Sequence, residues 1–167
     1  MTKFFKLAII KISGEPYKLP KNHGFLQVLM KKLSPHFSFE ELSYTSLRCF
    51  KEQNTFSASF YLRELTALSY YLLEPIRALL DTPLVITSAY RCPALNDWVK
   101  GVANSQHIGG EAADFIPLNC CLEKAFDKIR LCKFIHFGQL ILEPGWIHVS
   151  LGFPFRPLKK CGEVIIK

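Results

Sequence analysis

Between residues 59 and 80, apolar side chains recur at three- and four-residue steps: Leu62, Leu65, Leu68, Leu72, Ile76 and Leu79. That is the period of an α-helix with one apolar stripe, and such a stripe is expected to face a core. Pro75 falls inside the run, where a proline either kinks a helix or opens a second one at its first turn. Upstream, "FSFEEL" sets Glu41 three residues after Ser38, the capping box of a helix start. After "DTP" the pattern changes. "LVITSAY" is β-branched and short, and "EAADFI", "FGQLILE" and "WIHVSL" read as further strands. Short helices are expected within "RCPALNDWVKG" and over "CLEKAFDKI", and "GEVIIK" suits an edge strand. Only Pro144-Gly145 separates the third and fourth strands. Proline then glycine fits the central positions of a type II turn, so a tight antiparallel hairpin is predicted. Helices followed by mostly antiparallel strands indicate an α+β fold, with N-terminal helices packed on a small sheet.

The first 36 residues are less patterned. "FLQVLMKKL" allows a short helix and "SGEPYKLPKNHG" reads as a loop. The opening "MTKFFKLAIIKIS" has an apolar run broken by Lys6 and Lys11, too short for the core of a signal peptide. No stretch approaches the roughly 20 apolar residues of a membrane span. A soluble protein made in the cytoplasm is the expectation. The chain has 167 residues, 49% hydrophobic and 21% charged, enough for one core and unlike a disordered chain. Its six cysteines form no C-x-x-C pair, so neither a cysteine zinc site nor a disulfide framework is indicated; reduced, mostly buried thiols are expected. A formal charge of +7 admits a polyanion as partner. The basic residues are scattered, though, without the basic helix or aromatic ladder of nucleic-acid modules, and a solvated surface explains them equally well.

Strand phase brings out the chemistry. Alternation puts Ala112, Asp114 and Ile116 on one face of "EAADFI", and Trp146, His148 and Ser150 on one face of "WIHVSL". An isolated polar residue in an apolar strand is more often a satisfied core group than a ligand. Two of them, with His107 just before Gly109-Gly110, call for a joint reading. His107, Asp114 and His148 supply three ligands that zinc accepts, leaving one position for water. With a two-residue turn, Glu143 pairs with Trp146 and Ile141 with His148. Glu143 then shares a face with His148 as a diagonal neighbour, roughly 7 to 8 Å away at Cα. That distance suits a general base better than a ligand; the alternative is a carboxylate simply exposed at a strand end.

At these residues the sequence resembles the zinc D-alanyl-D-alanine peptidases, most of all the branch common in bacteriophage proteins. The resemblance is carried by "ITSAYRCPALN", "SQHIGGEAADF" and "FGQLILEPGWIHVS", and it runs from about "FSFEEL" to "HVSLG". The family's S-x-H-x-x-G-x-A-x-D is met by Ser105, His107, Gly110, Ala112 and Asp114. The resemblance implies His107, Asp114 and His148 as ligands of one zinc ion. It implies Arg91 as the residue that holds a substrate carboxylate or stabilises the developing oxyanion, Ser88 and Ser105 as substrate-side or supporting hydroxyls, and Asn96 as a structural polar residue. Several subgroups place the catalytic acid three residues before the last histidine, where this chain has Gly145. Here the carboxylate is Glu143, as in the phage branch, and it is taken as the general base. His23 and His136 have no motif partner.

The function so implied is a zinc metallopeptidase hydrolysing peptidoglycan stem peptides, of the D-Ala-D-Ala carboxypeptidase type. Residues 37–167 would form the peptidase domain and residues 1–36 an extension without an assigned role. The partners expected are the peptidoglycan peptide alone, with no nucleic acid or membrane span, and a monomeric chain acting on the cell wall. Two other readings stand beside it. One is a phage-type murein endopeptidase. The other is a wall-binding module that keeps its zinc without catalysis, since Hedgehog-type signalling domains share the fold and fold does not fix function.

Overall fold

The computed structural model describes residues 31–151 and 163–166. Its helices are α1 (Phe39–Leu42), α2 (Lys51–Ala58), α3 (Leu62–Leu68), α4 (Glu74–Leu80), α5 (Pro93–Trp98) and α6 (Leu122–Leu131). Its strands are β1 (Leu84–Ser88), β2 (Ala112–Pro117), β3 (Gln139–Leu142), β4 (Ile147–Ser150) and β5 (Glu163–Ile166).

The serine cap forms as read, with Ser38 Oγ accepting the Glu41 N–H at 3.2 Å. The leucine stripe begins earlier than expected, because α2, α3 and α4 join into one helical run through a 3₁₀ turn (Ser59–Tyr61) and a π turn (Ser69–Leu73). Pro75 opens α4 at its first turn, one of the two outcomes expected, while the helical run continues across it. It lacks an N–H for the carbonyl four residues back and crowds it; the π turn just ahead widens the backbone and carries the run past it. Leu65, Leu68, Leu72 and Ile76 are fully buried on this run, with Leu62 and Leu79 packed at the edge.

The five strands form one sheet in the order β1-β2-β4-β3-β5. All pairings are antiparallel except β3 with β5. This is the α+β architecture expected, with "GEVIIK" supplying the edge strand. Ala113, Phe115, Leu140, Ile147 and Val149 point from the sheet into the same core as the helical stripe. The tight hairpin also forms, closed by the Glu143 N–H donating to the Trp146 carbonyl at 3.0 Å. Its turn is not type II. That type needs a left-handed φ at its second central residue, and among the described glycines only Gly110 has one.

The helix expected over "FLQVLMKKL" lies mostly outside the described residues. Its last three are not helical, and Lys32 bridges Ser38 instead. Leu33 is buried with Phe37 in the main core, so the boundary expected after residue 36 falls inside this packing. The five described cysteines are free, but only Cys92 is buried; Cys49 and Cys121 are exposed. No described helix is long and apolar enough to cross a membrane.

Candidate metal centre

The site grows from one row of residues across the sheet. Ser88 on β1 pairs with Asp114 on β2, Asp114 with His148 on β4, and His148 with Ile141 on β3. Cross-strand partners share a face, so this row lies opposite the core-facing Phe115 and Val149. His107 comes from the turn before β2. That turn is held by the Gly110 N–H and the Arg91 N–H, both donating to the His107 carbonyl at 3.2 and 3.1 Å. Gly110 takes φ +68 there, and a Cβ on it would press on Tyr61 and Leu65. Glycine is the residue that reaches this conformation without strain.

Three side-chain atoms converge. His107 Nε2 lies 3.3 Å from Asp114 Oδ1 and 3.3 Å from His148 Nδ1, and His148 Nδ1 lies 2.8 Å from Asp114 Oδ1. The other His107 nitrogen, Nδ1, sits 2.6 Å from the Ala89 carbonyl. A carbonyl only accepts, so Nδ1 carries the proton and Nε2 offers a lone pair. Burial pushes the His107 imidazolium pKa down and keeps the ring neutral. At Asp114 burial alone would raise the pKa, but the adjoining His107 and His148 side chains outweigh it and hold the carboxyl well below the usual range. A neutral His107 imidazole, the His148 ring and an ionised Asp114 carboxylate are a zinc donor set. Ligand atoms around a tetrahedral zinc at about 2.0–2.1 Å stand roughly 3.3 Å apart, the spacing seen here within half an ångström. Among the described residues, His107, Asp114 and His148 form the one such group of potential metal ligands.

These atoms lie in a cleft of about 390 Å³. Glu143, Arg91 and Ser105 line it together with the three ligands. Glu143 is half-buried on the cleft wall, not simply exposed at a strand end. Arg91 Nη2 donates to Asp114 Oδ2 at 2.5 Å and Arg91 Nε to Ser88 Oγ at 2.8 Å. Ser88 is thus behind Arg91 and outside the cleft wall, whereas Ser105 is on it. Asn96 is fully buried; its Nδ2 donates to the Val102 carbonyl at 3.1 Å and its amide packs so closely on Gly101 that a Cβ there would lie 2.2 Å from Oδ1. It shapes the loop forming one cleft wall. His136 is exposed and away from the site, and His23 lies outside the described residues.

Several contributors escaped the sequence reading, among them the cleft-lining Val102, Asn104 and Gln106. Gln139 lines the cleft two residues before Ile141, and strand alternation could have found it. The Ala89 carbonyl is a backbone group, to which side-chain patterns give no clue.

A family model described as Peptidase M15 matches residues 35–150, more than half of the chain. No curated protein matches it.

Proposed function

The chain belongs to the M15 peptidase family, and on that premise we propose that it is a zinc metallopeptidase hydrolysing peptidoglycan stem peptides. The observation that carries this reading is the convergence of His107, Asp114 and His148 in a cleft that also presents Glu143 and Arg91. His107 Nε2, Asp114 Oδ1 and His148 Nδ1 would hold the ion. Zinc held there supplies Lewis acidity, polarising a carbonyl and bringing the pKa of a water towards neutrality. Glu143 accepts the proton of the attacking water and returns it to the leaving amine. Arg91 offers positive charge where negative charge grows on the carbonyl oxygen, and Ser105 a hydroxyl to the peptide backbone. The cleft orients the scissile amide between these groups. The protein acts on the cell wall as a monomer, with residues 1–36 outside the catalytic machinery.

In the carboxypeptidase form of this reading, Arg91 anchors a terminal D-Ala carboxylate. Two of its N–H groups are already given to Asp114 and Ser88. That observation favours an endopeptidase, whose substrate has no terminal carboxylate to hold at the cleaved bond.

The test is the purified protein with one equivalent of zinc, incubated with a pentapeptide stem and with cross-linked muropeptides. Mass spectrometry should detect released D-Ala in the first case or a cut cross-bridge in the second. Bound zinc with neither product would leave a metal-binding module and end the hydrolase reading.

A further inference from the structure

The segment "SAYR", residues 88–91, touches two of the three candidate ligands at three points, and a fourth bond braces the segment from within. The Ala89 carbonyl accepts His107 Nδ1–H, the Arg91 N–H donates to the His107 carbonyl, Arg91 Nη2 donates to Asp114 Oδ2, and Ser88 Oγ accepts Arg91 Nε–H. The paired groups are shielded from water, with side-chain exposures of 18% for Arg91 and 7% for Asp114. The register of β1 against β2 shifts between Ile86 and Ser88. Such an irregularity re-aims the end of a strand, and here the strand end leads into these contacts.

We infer that Ser88 and Arg91 are positioning residues of the metal centre. Arg91 occupies the outer oxygen of Asp114 so that Oδ1 alone is presented to the ion, and Ser88 holds the guanidinium in that pose. This goes beyond the role of substrate anchor and rests on the metal-site reading above. The physical case is geometric. A carboxylate with both oxygens free can rotate or bind an ion through both; one oxygen tied to a buried guanidinium fixes the plane and the donor atom. Charge works the other way, because a guanidinium repels a dication. Loss of orientation therefore weakens zinc binding, whereas loss of charge alone tightens it, and the sign of the change separates the two.

The experiment measures zinc affinity by chelator competition for wild type, Ser88→Ala, Arg91→Met and Arg91→Lys. Circular dichroism and melting of the metal-free proteins serve as the folding control. Weaker binding is expected in all three variants, about 10- to 100-fold for Arg91→Met and towards the lower end for Ser88→Ala. Arg91→Lys keeps the charge but loses the fork and should not restore affinity. Cobalt(II) gives a second readout. Its visible absorption weakens as coordination number rises, so Arg91→Met should absorb less than wild type if Asp114 begins to bind through both oxygens. Ser88→Ala alters neither net charge nor the cleft wall, so it decides the matter should an Arg91 variant not fold. Zinc bound as tightly or more tightly in Ser88→Ala and the Arg91 variants, with an unchanged cobalt spectrum, would overturn the inference and leave the metal site standing. Full affinity in Arg91→Lys would overturn it too. A wild-type protein that binds no zinc would instead remove the reading on which it rests.

Discussion

Glu143 and Gly145 sit two residues apart on the same turn, and the difference decides where a proton can be taken up. The hairpin pairs Glu143 with Trp146, putting its carboxylate on the same face as His148 and on the cleft wall. Glu143→Gln keeps the shape and removes the base. Turnover of a stem peptide should fall about 10²- to 10⁴-fold with zinc content unchanged, read by kinetics beside metal analysis. His107→Ala should instead lose the zinc, and a mutant retaining one full equivalent would break the ligand assignment. Asp114 and His148 were legible in the sequence because strand alternation has a period of two and isolated polar residues stand out against it, and His107 because it stands just before the Gly109-Gly110 pair. The supporting contacts of Ala89 and Arg91 were not, since they depend on how the segment after β1 folds back over the turn before β2.

At the scale of elements, the long helical run is tied to the start of the described chain through Glu74. Its carboxylate accepts from Ser34 Oγ at 2.6 Å, from the His36 N–H at 2.9 Å and from His36 Nδ1 at 2.8 Å. Burial alone would raise the Glu74 pKa, but these bonds outweigh it and the net direction is down from 4.5. A carboxyl lowered in the folded state stabilises the fold above its unfolded pKa, and that stabilisation is lost as pH falls through the lower folded value. The acid limb of stability below pH 4.5 should therefore be shallower in Glu74→Gln, which should also cost about 1–2 kcal/mol at neutral pH by denaturant titration. Gly110→Ala tests the turn before β2. A left-handed φ costs an L-residue about 1–2 kcal/mol, and the new Cβ would meet Tyr61 at 3.3 Å. The measured loss should reach or exceed that range, with weaker zinc binding because His107 rides on the same turn.

For the whole molecule, His148 lies 34 residues from Asp114 and 41 from His107 in sequence, so an ion held by all three candidate ligands binds the folded chain in preference to the unfolded one. Zinc at a hundredfold excess over its Kd should add about 2.7 kcal/mol, or roughly 5 to 10 °C in melting temperature, reversed by chelator. A chain without residues 1–36 should melt lower than one without residues 1–30, because Leu33 is part of the core and Ser34 and His36 hold Glu74. Equal melting temperatures would place the functional boundary at residue 36 after all.

The one-dimensional pattern determined what depends on period and local chemistry: the helical stripe, the strands, the Ser38 cap, the two-residue hairpin loop and the three candidate ligand residues. Each follows from repeats of 3.6 or 2 residues, or from groups a few positions apart. The tertiary structure decided what depends on distant segments meeting. It set the order β1-β2-β4-β3-β5 and the parallel edge strand. It carried the helical run across Pro75, which sits in the first turn of α4 just after the π turn, since burial of the stripe on both sides outweighed one missing hydrogen bond. It also turned Arg91 towards Asp114, because an ionised carboxylate buried beside two imidazole rings draws in the nearest guanidinium, and no spacing along the chain encodes that attraction.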